Sequence, residues 1–140
     1  MGNYRLSINS YRSKHKRGFV IETEGRTLRK FVCKTKSLNI KEDILITLTE
    51  GLRALKPLVK HEDIVFIEIQ NTHLQQWLSG LVEYKEYSKY LDEVFEVLEG
   101  IDCRYKFVFS KEPSAKQFVL NSEITTVKAT PIGEALKEFE

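Results

Sequence analysis

Apolar and polar residues alternate through the first third of the chain. Tyr4, Leu6 and Ile8 interleave with Arg5, Ser7 and Asn9, the period of two that a half-buried strand requires. The polar run SYRSKHKRG predicts a turn with Gly18 at its end, and Phe19 to Thr23 predicts a second strand. Glu24-Gly25-Arg26 has the composition of a short hairpin loop. Leu28 to Lys34 predicts a third strand, with Leu28, Lys30 and Val32 on one side and Arg29, Phe31 and Cys33 on the other. Strands joined by short connections imply an antiparallel meander.

The period then changes. Asn39 is placed to cap a helix, with Glu42 three residues on in capping-box position. Leu45, Leu48, Leu52 and Leu55 recur at helical spacing, Ile44 widens the stripe, and Pro57 marks its end. Gly51 inside this helix costs about 1 kcal/mol against alanine, which close packing on a sheet would explain. Ile64 to Ile69 is almost wholly apolar and β-branched, the signature of a central parallel strand. Thr72 is placed to cap a helix carrying Leu74, Trp77, Leu78 and Leu81. Tyr84, Tyr87, Leu91, Val94 and Leu98 mark a further helix closed by Gly100. Tyr105 to Phe109 predicts a fifth strand, and Pro113-Ser114 opens a helix running to about Asn121. The order β-β-β-α-β-α-α-β-α implies a mixed α/β protein with a five-stranded mixed sheet and helices on its faces.

Length and composition fit one domain over residues 1–140, with 122–140 as a C-terminal extension that carries a weaker pattern. No apolar run approaches the ~20 residues of a membrane span. The opening residues lack the apolar stretch of a secretory signal, and Leu6 stands where a myristoylation motif takes Ser or Thr. Cys33 and Cys103 are widely separated, and His15, His61 and His73 match no metal-ligand spacing. A reducing, cytoplasmic setting is therefore expected, with neither disulfide nor zinc. Charge is uneven. Residues 1–36 carry ten Lys/Arg against two Glu, and residues 37–140 carry twelve basic against eighteen acidic residues. A basic stretch of this kind suits a polyanion, and Arg12, Lys14, Lys16 and Arg17 are its densest part. The chain has no phosphate-binding GxxxxGK[ST] loop, GxSxG elbow or HExxH helix.

Element order and lengths together resemble the ribonuclease H-like superfamily. IKEDILITLTEGLRALK is similar to that family's first helix, DIVFIEIQNTHLQQWL to its fourth strand and second helix, and YSKYLDEVFEVLEGIDCRYKFVFSK to the later helix and fifth strand. The resemblance implies four carboxylates holding two divalent metals about 4 Å apart, which activate water and stabilise the leaving oxygen of a phosphodiester. Such ions take hard anionic oxygen ligands. At the positions the resemblance assigns, this chain has Asn9, Ile44, Gln70 and Lys116. Asp43 is the one carboxylate near an expected position.

The resemblance therefore implies the scaffold without the two-metal reaction. The expectation is a non-catalytic interaction module, needing no cofactor, that binds nucleic acid or a protein partner as a regulatory or accessory factor. Arg12, Lys14, Lys16, Arg17 and Asn71 are its candidate nucleic-acid contacts. The alternative is a divergent nuclease using magnesium or manganese on Glu68, Asp43 and an acid such as Glu123. A homodimer or partner surface through Tyr84, Tyr87 and Tyr90 is a further expectation.

Overall fold

In the computed structural model the alternating segments of the first third become antiparallel strands β1 (Asn3–Tyr11), β2 (Lys16–Thr23) and β3 (Arg26–Lys34). There follow α1 (Ile40–Leu55), β4 (Ile64–Ile69), α2 (Thr72–Leu78), α3 (Ser88–Glu99), β5 (Arg104–Phe109) and α4 (Ser114–Asn121). The structure describes residues 2–11, 15–35, 39–80, 87–111 and 113–121. The predicted 122–140 extension lies outside them.

The sheet order is β3-β2-β1-β4-β5. β4 runs parallel to both β1 and β5, as its apolar sequence implies. Helix α1 lies against one face, over β1 and β2, and α3 packs on α1. α4 covers β1 and β2 from the other face. The main core fills the α1 side with Leu6, Ile8, Phe19, Ile21, Leu48, Leu52, Ile67 and Leu91. A small cluster of Val20, Val32, Ala115 and Val119 fills the α4 side.

Several local readings change. The β1–β2 connection is shorter than the polar run suggests, since β1 continues to Tyr11 and β2 starts at Lys16. Gly18 thus sits inside β2. The β2–β3 turn uses Glu24 and Gly25, both left-handed at φ 49° and 79°, which matches the twist of a two-residue hairpin. The pairing register slips between Ile21 and Glu22, leaving Leu28 unpaired as a bulge. Leu28 therefore packs with Phe31 and Cys33 in the main core instead of alternating with Val32. Asn71, not Thr72, caps α2, its side-chain oxygen accepting from the Leu74 N–H at 3.0 Å. Asn39 caps α1 as predicted, accepting from Lys41 and Glu42. The described helix α3 begins at Ser88, after Tyr87 in a left-handed conformation at φ 61°.

Gly51 has the packing reason its sequence position lacked. A Cβ there would stand 2.9 Å from Leu6 Cδ1 and 3.3 Å from Ile8 Cδ1, so α1 approaches β1 closely enough that even a methyl group must push these flexible side-chain ends aside. At the opposite end of the sheet, Asp63 accepts from the N–H groups of Lys60 and Gly2 at 2.8 and 2.7 Å. These donors hold its carboxyl below the ordinary carboxylate range.

Candidate functional site

β1 connects to one side of the sheet and β4 to the other, so their carboxyl ends flank a topological switch point, where open α/β sheets bind ligands. Asn9 and Gln70 meet there. Asn9 Nδ2 donates to Gln70 Oε1 at 2.8 Å, and Gln70 Nε2 donates to the Lys111 carbonyl at 2.9 Å. One amide chain thereby ties β1, β4 and the segment after β5. Asn9 Oδ1 is buried with no partner among the described residues, an uncommon state for a buried acceptor.

The nearby acids do not converge on this amide pair. On the α1 side, Asp43, Thr47 and Glu50 share one helix face by their spacing, and Arg17 reaches them from β2. Arg17 is 1% exposed. Its Nη1 donates to Thr47 Oγ1 at 3.1 Å and to Glu50 Oε1, and its Nε donates to the Lys34 carbonyl at 3.0 Å. Asp43 Oδ1 lies 4.0 Å from the same Nε, and Asp43 Oδ2 accepts from Ser10 Oγ at 3.0 Å. Thr47 Oγ1 in turn donates to the Asp43 carbonyl at 2.7 Å. The guanidinium thus neutralises acids buried beneath the strand ends.

Glu68 lies on the other face. It pairs in register with Ser7, which accepts from the Ala115 N–H of α4, whereas Asp43 bonds to Ser10. Positions 7 and 10 of one strand point to opposite faces. Glu68 itself accepts from the Ser114 N–H at 3.1 Å and lies 3.8 Å from Arg5. The structure therefore does not bring Glu68 and Asp43 together. Among the described residues no group of His, Cys, Asp or Glu is arranged to hold a metal ion. Among the described residues, Glu68 and Asp43 are thus not placed to share a cation.

The remaining predicted residues divide. Ile44 is 2% exposed and belongs to the core. Lys116 is half-buried in the first turn of α4. Arg17 is a buried structural cation and does not stand at the surface as a phosphate contact would. Lys16 is half-buried at the start of β2, its Nζ 3.5 Å from the Leu120 carbonyl. Asn71 caps α2 through its Oδ1 and also lines a cleft beside the amide pair. Tyr87 and Tyr90 are half-buried against the core, and Tyr87 accepts from Asn39 Nδ2 at 2.7 Å. Arg12, Lys14, Tyr84 and Glu123 lie outside the described residues.

Sequence reading missed an open cleft of about 410 Å³ beside the amide pair, lined by Gln70, Asn71, Thr72, His73, Phe109 and Lys111. Lys111 lines it, and Lys16, Lys34, Lys41 and Lys116 stand near the ends of β2, β3, α1 and α4. Asp43, Glu50 and Glu68 are turned inward, so among the described residues Glu42 is the remaining acid of this end.

The cysteines and the other histidine pair lie elsewhere. Cys33 is buried, Cys103 half-buried, and neither is in a disulfide. Burial pushes the Cys103 thiol up, against a role as nucleophile. His61 Nδ1 lies 2.7 Å from Asp102 Oδ1 on the surface. That hydrogen bond, reinforced by the Asp102 charge, raises the imidazole pKa. The favourable pairing is present below the ordinary imidazole value of about 6.5 and is lost as pH rises through the raised value. NMR titration should place His61 above an ordinary imidazole, and Asp102→Asn should bring it back. An unchanged midpoint in Asp102→Asn would show that the pair does not persist in solution.

No protein-family model matches the sequence, and no curated protein matches it. Solved structures do. An N-terminal RNase H domain from Mycobacterium tuberculosis superposes with a TM-score of 0.66 at 12% identity, covering 96% of this chain and 99% of that one. RNase H1 from the archaeon Halobacterium salinarum matches with a TM-score of 0.62 at 12% identity, covering 84% of this chain and 89% of that one. LC11-RNase H1, solved in complex with an RNA/DNA hybrid, matches with a TM-score of 0.63 at 13% identity, covering 85% and 93%. The shared element order, the 3-2-1-4-5 mixed sheet and these superpositions show that the chain has the ribonuclease H-like fold.

Proposed function

We propose that this protein is a non-catalytic nucleic-acid-binding module on a ribonuclease H-like scaffold. The observation that carries the reading is the chemistry at the carboxyl ends of β1 and β4. A hydrogen-bonded amide pair, Asn9–Gln70, stands there, and the acids around it are neutralised from within. With Glu42 the one acid of this end not turned inward among the described residues, repulsion of phosphate there is small. The lysines at the ends of β2, β3, α1 and α4 and after β5 supply the opposite charge. The solved complex of LC11-RNase H1 with an RNA/DNA hybrid supports nucleic acid over a protein as the partner.

The nuclease alternative needs Glu68 and Asp43 to share a cation. Their placement on opposite faces of the sheet weighs against it.

Binding should be measured by fluorescence anisotropy with labelled hybrid, duplex and single-stranded oligonucleotides over a salt series. Affinity should fall as salt rises. Lys34→Ala/Lys116→Ala should weaken every probe and flatten the salt slope, by about 0.7–0.9 for each phosphate left without its lysine. No binding to any probe at low salt would refute the reading and leave a protein partner.

A further inference from the structure

We infer that the cleft beside the amide pair receives single-stranded nucleic acid, with bases stacked on Phe109 and His73; the inference rests on the nucleic-acid reading above and deepens it. Phe109 is the last residue of edge strand β5 and is 42% exposed. An exposed phenylalanine on a cleft otherwise lined by polar groups has no packing purpose that the described residues reveal. His73 lines the same cleft and is exposed. Its ring continues onto Trp77, one helical turn along α2, at 6.3 Å between centroids and 20° between planes. Trp77 meets Tyr87 at 6.1 Å. The Lys41 ammonium sits over both rings, 5.2 Å from Trp77 and 5.9 Å from Tyr87.

The cleft thus offers the Phe109 and His73 rings beside Lys111, and His73 leads onto Trp77, which Lys41 covers. Proteins that bind single strands combine aromatic faces, on which unpaired bases stack, with positive charge that follows the backbone. A duplex keeps its bases stacked on one another and offers only its backbone and groove edges, so an exposed ring gains little from it. The platform is held in place. Gln70 fixes the Lys111 carbonyl, Asn71 caps α2 below His73, and the Phe107 carbonyl accepts from Gln75 Nε2 at 3.1 Å, which locks β5 to α2.

The probe is a fluorescein-labelled oligothymidylate of about twelve nucleotides, compared with a duplex and an RNA/DNA hybrid of the same length, with the whole chain. Trp77 is the only tryptophan, so its emission reports on the aromatic row directly. The single strand should bind tighter than either double-stranded probe and quench Trp77. Phe109→Ala should weaken the single strand by about 5- to 150-fold while leaving the double-stranded probes near their starting affinity. Phe109→Trp should restore binding, and circular dichroism on each variant controls for folding. Double-stranded probes that bind as tightly as the single strand, with Phe109→Ala without effect, would overturn the inference and leave the broader reading standing. Failure of all probes would remove both.

Discussion

Replacing Arg17 with methionine should destabilise the protein by about 3–5 kcal/mol, the usual loss when one partner of a buried ion pair is removed. The side chain is almost wholly buried, as are Asp43 and Glu50. Without the guanidinium, both carboxylates stay buried with less to offset their charge. Thr47 Oγ1 and the Lys34 carbonyl would also lose their donor. Arg17→Lys should recover only part of the loss, because one ammonium cannot reproduce the planar fork that spans Lys34, Thr47 and Glu50. The triple variant Arg17→Met/Asp43→Asn/Glu50→Gln should be more stable than Arg17→Met alone, since it removes the stranded charges. Urea unfolding of the variants measures this. A loss below about 1 kcal/mol for Arg17→Met would show that the network carries little of the stability.

Gly18→Ala should cost about 3 kcal/mol or more, at the upper end of overpacking losses. A Cβ at this position would fall 2.1 Å from the Phe31 carbonyl oxygen and 3.0 Å from Val119 Cγ2. The first of these is backbone and can yield only if β2 and β3 part. That would disturb the Phe19–Phe31 stack on one face, with centroids 5.4 Å apart, and the α4 contact on the other. Gly18 also pairs with Asn9, so the same shift would reach the amide pair. Gly51→Ala is the contrast. Its obstacles are the mobile ends of Leu6 and Ile8 side chains, and alanine regains about 1 kcal/mol of helix propensity. Thermal unfolding should therefore rank Gly18→Ala well below Gly51→Ala, and the reverse order would contradict the packing described for β2.

The order of elements was legible because the hydrophobic period switches cleanly from two to 3.6 and back, and because β4 is apolar on both faces. Local slips were not. Nothing in RTLRKFV announces a bulge at Leu28, since one unpaired residue leaves the composition unchanged. Asn71 and Thr72 are both good caps, and the choice depends on where β4 releases the chain. Arg17 was hidden by its company, because a charge among Lys14, Lys16 and Gly18 reads as a solvated turn. A signal was present: Arg17, Phe19 and Ile21 are spaced by two, which puts Arg17 in phase with core residues, and Asp43, Thr47 and Glu50 share a face of the facing helix. The resemblance pointed to Asn9 and Gln70, and the structure hydrogen-bonds them. The separation of Glu68 from Asp43 needed the side of the sheet on which α1 packs, and sequence does not specify that. Exposure of Phe109 was equally unreadable, because an apolar residue in a strand looks the same whether its strand is central or at the edge.

The central claim, a scaffold whose acids serve the fold instead of a metal, is tested most directly by incubating the purified chain with labelled RNA/DNA hybrid, RNA and DNA in magnesium or manganese and resolving the products. The account predicts bound but intact strands, with no fragments beyond those of a metal-free control. Metal-dependent fragments that disappear in Glu68→Ala or Asp43→Asn, each shown to be folded, would contradict it.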